Sequence, residues 1–378
     1  MRAGLSYPFR TRGDTEVLLA QYEKYGPGGV ERLRGQFAYA IHDSATGETH
    51  LFRDRLGILP LYYYVNNDVF AFASEIKALL PVIGAPRVDE DSLHDYLAHR
   101  SVPAPYTLIE GVRKVPQGHH LVVKSDGTVH STAYWALSAQ PDGRKVSPRE
   151  AVRLVDEALT ASVREALVAD VPVGAYLSGG VDSSLITALV ARQRQGAGLH
   201  TFSAGFGDDR LDETSWARQV AGIVGSTHHE VLVTADDFQQ NWSKLSWHRD
   251  APLSEPADVA VFRLAQLARQ EVKVVLSGEG SDELFGGYPK YLFANATRWA
   301  GVVPGSVLRH VEKSLPASKS RLGIAMRAVS EPSHAERMRG WFASFTVSER
   351  TDRSWRCDES GSARSGFDSL NLHKINCQ

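Results

Sequence analysis

The chain has 378 residues, 43% of them hydrophobic and 23% charged, with a formal net charge of −2. That length accommodates two ordinary domains, each able to bury a core, and the near-neutral charge gives no argument for a nucleic acid or a membrane surface as partner, so neither is expected. No stretch approaches the roughly 18 apolar residues of a membrane span. The opening MRAGLSYPFRTRGD lacks a signal peptide's apolar core, and the two cysteines, Cys357 and Cys377, build neither a disulfide framework nor a zinc site. The expected compartment is the cytoplasm.

In chain order, Val17, Leu18, Gln21, Tyr22 and Tyr25 recur at helical spacing, opened by Asp14-Thr15 and closed by Gly26. Four short strands follow, GQFAYAIHD, ETHLFRD, PLYYYVNN and VFAFASE, with Asn66-Asn67-Asp68 the clearest hairpin signal. Such a meander predicts an antiparallel sheet. Residues 81–145 are mixed and rich in Pro and Gly, and residues 140–143 read as a linker.

A new regime starts at Ser147, where Ser147, Pro148 and Glu150 occupy the N-cap, N1 and N3 slots of a capping box. Three apolar runs, VPVGAYLS, LHTFSAGF and VKVVLSGE, alternate with helical patterns at 185–194, 213–224 and 259–269. That alternation predicts βαβ units and a parallel sheet. Beyond about residue 292 the pattern is helical only, and after Thr351 a tail rich in Ser, Arg and Asp is expected to be disordered.

Two of those runs end in Ser-Gly, and in open α/β sheets ligands sit beyond such strand ends. In SGGVDSS, Gly179 and Gly180 let the backbone approach an anion, while Ser178, Ser183 and Ser184 add hydroxyls at a helix start. Asp182 sits well beside phosphates when a divalent cation lies between them. A lone Ser-Gly-Gly is equally a capped turn; the strand–SGGxDSS–helix context favours a pyrophosphate. In SGEGSDELFGGY, Ser277-Gly278 is followed by Glu279, Asp282 and Glu283. Helix capping explains one or two of those acids, but not two Ser-Gly strand ends both followed by acids. At neighbouring strands the loops would share a crevice, and Asp182 and Asp282 a metal.

Ala204 and Gly205 are small enough for a flat ring to pack there, although core packing explains them better. His228-His229 looks like a metal pair, but neighbours on a strand point to opposite faces, so both are expected to be structural. Arg53-Asp54-Arg55 reads as a solvated ion-paired turn rather than an anion site.

SGGVDSS resembles the pyrophosphate loop of N-type ATP pyrophosphatases, and SGEGSDELFGGY is similar to the second loop of glutamine-dependent asparagine synthetases. GDTEVLLAQYEKYG, LRGQFAYAIHD, FRDRLGILPLYY and FASEIKALL resemble the class II glutamine amidotransferase domain that precedes the synthetase domain in that family. The resemblance covers roughly residues 10–300 in the family's order. It implies that Leu177, Ala204, Ser277 and Gly278 line the nucleotide, that Ser178, Gly179, Gly180, Asp182, Ser183 and Ser184 hold the pyrophosphate, and that Asp182 and Asp282 hold Mg²⁺. Glu279 matches the acid tied to forming the aspartyl-adenylate, Glu283 lies next to the acceptor, and Asp14 matches the acid that holds the glutamine α-amino group.

The implied fold is α/β: a truncated αββα Ntn-hydrolase-like sandwich over 1–140, then a helix-flanked parallel-sheet domain of the adenine nucleotide alpha hydrolase type over 147–345, then the tail at 351–378. The implied reaction is ATP-dependent amide formation from aspartate through a β-aspartyl-adenylate, with ATP, aspartate and ammonia or glutamine as small-molecule partners. The chain also departs from the family. The nucleophilic N-terminal cysteine is missing, since residue 2 is Arg2 and no cysteine precedes Cys357, so the glutaminase half is expected to be inactive. The family's glutamine-binding stretch before Asp14 and its lysine near the adenylate have no counterpart. APLSEPADVAVF differs where the acceptor is read, which leaves open another carboxylate, as in β-lactam-forming relatives, or a non-catalytic nucleotide-binding remnant. Without its opening strands the amidotransferase half is expected to expose Phe37, Tyr39, Phe52, Phe70 and Phe72, a face that leaves room for a homodimer.

Overall fold

The computed structural model describes residues 4–137, 143–194, 198–207 and 212–289, with single positions between 291 and 330. The expected all-helical region beyond 292 and the tail after Thr351 lie outside the described residues apart from those positions, and so does most of the 140–143 linker. The chain forms two compact units, one of Met1–Pro86 with Gly111–Gly287 and a second that includes Arg87–Glu110.

Helix α1 (Asp14–Tyr25) ends at Gly26, whose φ of 62° no β-branched residue would adopt readily, and a 3₁₀ turn Gly26–Arg32 follows. Its N-cap is Gly13, so Asp14 is the first helical residue rather than the cap. Strands β1 (Ala38–Asp43), β2 (Glu48–Arg53), β3 (Tyr62–Val65) and β4 (Phe70–Ala73) come next, then a 3₁₀ turn Ile76–Ala78 and α2 (Leu80–Ile83). In the second unit α3 (Glu90–His99) starts at Asp89, whose carboxylate accepts the Ser92 N–H at 2.7 Å. Strands β5 (Val112–Lys114), β6 (His119–Val123) and β7 (Val129–Ala133) return to the first unit.

These strands make two antiparallel sheets, β1-β2-β6-β7 and β4-β3-β5. Period-2 alternation divides β2 between two cores. Leu51 packs with Leu61, Tyr63, Val115 and Leu121 between the sheets, while Phe52 packs with Val30, Leu33 and Ile41 under Leu18 and Tyr22 of α1. The expected exposed face is therefore mostly absent. Phe52 is 1% exposed, Tyr39 stacks on it at 4.6 Å between ring centroids, and Phe37 and Phe70 are half-buried. Among the five only Phe72, on edge strand β4, is exposed at 44%. Helix α1 supplies the cover that the sequence reading left out.

Arg53-Asp54-Arg55 is not a solvated ion-paired turn. The Arg53 guanidinium donates to the carbonyls of Gly57, Leu59 and Val115 at 2.7–2.8 Å. Asp54 is 1% exposed and accepts the N–H groups of Leu56, Ile58 and Leu59. The charges fold the β2–β3 connection by satisfying its backbone.

The rest of the first unit is α4 (Pro148–Ala166), β8 (Val173–Tyr176), α5 (Val181–Arg194), β9 (His200–Gly205), α6 (Thr214–Val224), β10 (Thr227–Leu232), α7 (Ala235–Arg249), α8 (Ala257–Ala268), β11 (Val274–Leu276) and α9 (Ser281–Phe285). Ser147 Oγ accepts the Glu150 N–H at 3.2 Å, but the Glu150 carboxylate turns to Arg153, so only half of the expected capping box forms. A complete box stands instead at Thr234 and Asp237, at the start of α7.

The four strands pair in parallel in the order β10-β9-β8-β11. One face carries Leu177 against Ala217 and Ala221 of α6; the other carries Phe202 and Tyr176 against Leu264 and Ala268 of α8. With helices on both faces, β8 and β11 are apolar, as parallel sheets favour, while β9 and β10 carry polar residues that bond one another. His228 and His229 point to opposite faces, as the alternation demands. His228 bonds the hydroxyls of Thr201 (2.9 Å) and Ser203 (3.1 Å), while His229 stacks on Phe202. Asp250, just after α7 at φ 56°, accepts the N–H groups of Ile76 (2.7 Å) and Lys77 (3.2 Å) and pairs with the Lys77 ammonium at 3.1 Å, which ties this region to the turn after β4.

On the α1 face of the antiparallel layer, His50 and His120 lie 2.9 Å apart through Nδ1 and Nε2, with His120 stacked on Phe52 at 4.4 Å. Burial, then the neighbouring His50, pushes His120 down to about 4, and burial also lowers His50 against the pull of Glu48 and Asp43. A histidine pKa below its unfolded value favours the folded state fully above about 6.5, and that stability is lost as pH falls toward 4. His120→Phe keeps the ring stack, so its fall in melting temperature between pH 7.5 and 4.5 should be smaller than that of the unaltered protein by on the order of a few degrees. An equal fall in both proteins would contradict this assignment.

Candidate functional site

Strand β8 is flanked by β9 on one side and β11 on the other, so the three carboxyl ends lie side by side. From β8 the chain moves to β9 and β10, then crosses back over α7 and α8 to reach β11 on the far side. The direction of winding reverses between β8 and β11, where an open α/β sheet leaves a crevice. Both Ser-Gly loops emerge there, and β11 pairs with β8 through Leu276 opposite Ala175.

The first loop is closed by its own serines. Ser183 Oγ lies 3.0 Å from Ser178 Oγ, accepts the Ser178 N–H at 3.2 Å and donates to the Gly180 carbonyl at 3.3 Å. Gly180 N–H donates to Ser178 Oγ at 3.2 Å. Gly179 has φ 89°, and a Cβ there would stand 2.5 Å from Trp216 Cβ and 2.6 Å from the Ala217 nitrogen. The loop thus rests on the start of α6. Among the described residues the N–H groups of Val181, Asp182 and Ser183, in the first turn of α5, meet no acceptor, and Ser184 Oγ is buried without a hydrogen-bond partner.

The second loop lies directly on this helix start. A Cβ at Gly278 would stand 2.8 Å from the Ser183 nitrogen and 3.1 Å from Asp182 Cβ. Ser281 Oγ donates to the Gly278 carbonyl at 2.8 Å, and Asp282 is half-buried against Gly287. Glu279 and Glu283 are exposed. Glu279 lies near enough to Tyr176 for its charge to add to burial in raising that phenol's pKa.

Residues 177–184 and 276–288 contain no lysine or arginine. A polyphosphate there would meet the N-terminal dipole of α5 and its free N–H groups, with the remaining charge balance falling to a divalent cation on oxygen ligands. Asp182 and Asp282, both half-buried, are the carboxylates that fit such an ion. No three of Asp182, Glu279, Asp282 and Glu283 bring their oxygens within 4.8 Å of one another, so the phosphate oxygens and water would complete its shell. Leu177 is buried under α6, and Ala204 is half-buried in the core with Val233 and Val259. Asp14 is exposed in the first turn of α1, where its carboxylate accepts the Thr15 N–H, and it belongs to the antiparallel layers rather than to this crevice.

Three neighbours escaped the sequence reading. Tyr176 lies within electrostatic reach of Glu279, Trp216 supports Gly179 while 61% exposed, and Asp212 presses on Gly205 while accepting the Thr214 N–H at 2.8 Å. The Asp-x-Thr spacing before α6 is a cap signal that could have marked Asp212; nothing in the sequence signalled the other two.

Residues 154–370, more than half of the chain, match the family model described as asparagine synthase. The chain belongs to the asparagine synthase family. Residues 1–135 match a second model, described as a glutamine amidotransferase domain. Within the family, the chain is 37% identical over 285 residues to glutamine-hydrolyzing asparagine synthetase 1 of Bacillus subtilis (strain 168), covering 75% of this chain and 44% of that protein. It is 34% identical over 322 residues to a Methanocaldococcus jannaschii protein provisionally named glutamine-hydrolyzing asparagine synthetase 2, covering 83% and 61%. Against glutamine-hydrolyzing asparagine synthetase 3 of Bacillus subtilis the figures are 32% over 299 residues, 75% and 48%. The chain spans about half the length of these family members.

The glycine geometry gives a direct check. Gly179→Ala combines a left-handed φ with a clash against α6 and should cost on the order of 1–3 kcal/mol. Gly222→Ala, inside α6 with nothing within 4 Å of the new Cβ, should stabilise by roughly 0.5–1 kcal/mol. Urea unfolding of both variants measures the contrast, and comparable stabilities would contradict the described loop.

Proposed function

We propose that the crevice between β8 and β11 binds ATP with Mg²⁺ and that the family's chemistry takes place there, forming asparagine from aspartate, ATP and ammonia. The observation that carries this reading is the backbone contact between the two Ser-Gly loops at adjacent strand ends, which sets the second loop against Asp182 and the unpaired N–H groups of α5. The serine-closed loop would hold the pyrophosphate portion, with Leu177, Ala204, Ser277 and Gly278 along the nucleoside. Asp182 and Asp282 would hold Mg²⁺, which supplies charge neutralisation at the phosphates.

The reaction then needs little covalent work from the protein. A β-carboxylate oxygen of aspartate bonds to the α-phosphorus, the bond to the β-phosphate oxygen breaks, and pyrophosphate leaves. Ammonia adds to the acyl carbon, AMP departs with its oxygen, and a proton is released to solvent. Glu279, whose charge reaches Tyr176, would serve adenylate formation, and Glu283 would lie next to the acceptor. Positioning and charge stabilisation account for the rate. We place the reaction in the cytoplasm, where ATP and aspartate are available.

The test is pyrophosphate release from ATP with Mg²⁺, aspartate and ammonia. Asp182→Asn should lower it at least about tenfold and weaken Mg²⁺-dependent nucleotide binding, since one carboxylate that would hold the cation is lost. Asp126→Asn, in the β6–β7 turn where the Asp126 carboxylate bonds within its own turn to Thr128, should leave both unchanged. Equal effects of the two substitutions would refute the site.

A further inference from the structure

We propose that His200, His229 and Glu271 bind a divalent transition-metal cation of the zinc class at the end of the parallel sheet opposite the Ser-Gly loops. One ligand atom from each of the three lies within 4.8 Å of the other two, a grouping unique among the described residues. His200 opens β9, His229 stands on β10, and Glu271 is in the turn between α8 and β11, so three separate segments converge.

The two imidazoles are held for this. His229 pairs in register with Phe202 and His200 with Thr227, which puts both rings on the face that carries Phe202. Phe202 is fully buried and stacks on His229 at 5.1 Å, and the planes of His200 and His229 differ by 18°. Their facing nitrogens, His200 Nδ1 and His229 Nε2, are 3.0 Å apart. Two imidazole nitrogens bound at 2.0–2.1 Å to a tetrahedral ion stand about 3.3 Å apart and aim at the ion rather than at each other, so occupancy asks both rings to turn out of their mutual hydrogen bond as well as to separate by a few tenths of an ångström. Binding releases the proton those nitrogens share, and the ion sits to the side of the line between them. Glu271 is exposed, and its side chain can swing its oxygen inward without rearranging the core.

Two histidines and one carboxylate suit zinc-class ions, whereas Mg²⁺ prefers oxygen ligands. Such an ion would tie β9 and β10 to the turn that launches β11, and it owes nothing to the nucleotide reading. A hydrogen-bonded histidine pair alone would explain the 3.0 Å spacing, but not a carboxylate brought to the same point from another segment.

Co²⁺ serves as the probe, titrated into the purified chain with excess Mg²⁺ present to fill oxygen-ligand sites, and followed by visible absorption and metal analysis. One equivalent should bind, with Zn²⁺ displacing it. Glu271→Gln, on the surface and neutral to folding, should weaken uptake at least about tenfold, His229→Asn should remove it, and Asp126→Asn should leave it as it was. Absence of stoichiometric uptake, or undiminished uptake in Glu271→Gln, would overturn the proposal.

Discussion

The close approach of Gly278 to the first turn of α5 is the constraint on which the arrangement of the crevice depends. With 2.8 Å between a would-be Cβ and the Ser183 nitrogen, no side chain fits between the second loop and the helix that follows the first. That contact requires β11 to lie beside β8, which the register of Leu276 with Ala175 secures. It also requires the chain to cross back over α7 and α8 after β10. This interlock sets the second loop directly against Asp182 and the backbone N–H groups left over at α5.

The parallel sheet serves its two ends differently. At the carboxyl ends small residues keep the backbone bare, with Gly179 resting on α6 and Gly205 under Asp212. At the amino ends bulky and polar side chains crowd together, with His200, His229 and Phe202 on one face and Thr201, Ser203 and His228 on the other. Both histidines of β10 find partners because neighbouring parallel strands place them beside β9 residues of the same face. The polar pairs cost little in stability since each buried nitrogen is matched, and they fix the register of two strands whose apolar contacts alone would tolerate slippage.

The sequence made the strand ends legible because apolar runs that stop at Ser-Gly break periodicity abruptly. β8 and β11 were readable on that basis, and β9, the helices beside them and the four-strand meander of the first half from their apolar spacing and turn residues. β10 was not, because THHEVL is half polar and its histidines are satisfied only by residues on β9. α7 was missed because ADDFQQNWSKLSWHR has a thin apolar stripe, and its strongest signal is the capping box at Thr234 and Asp237. The burial of Phe52 under α1 depends on tertiary packing between segments far apart in the chain, which no local pattern reports. In the site, the loop glycines and acids were visible as motifs, while Tyr176 and Trp216 act through neighbours supplied by the fold.

If the two loops form one site for a nucleotide and its cation, Asp182 and Asp282 are energetically coupled, and a double-mutant cycle reads that coupling. Mg²⁺-dependent ATP affinity would be measured for the unaltered chain, Asp182→Asn, Asp282→Asn and the double variant. Two carboxylates on one ion should show a coupling of at least about 1 kcal/mol, the double variant losing less than the sum of the single losses. Strict additivity, within roughly 0.5 kcal/mol, would mean that the acids act on separate ligands and would contradict the account.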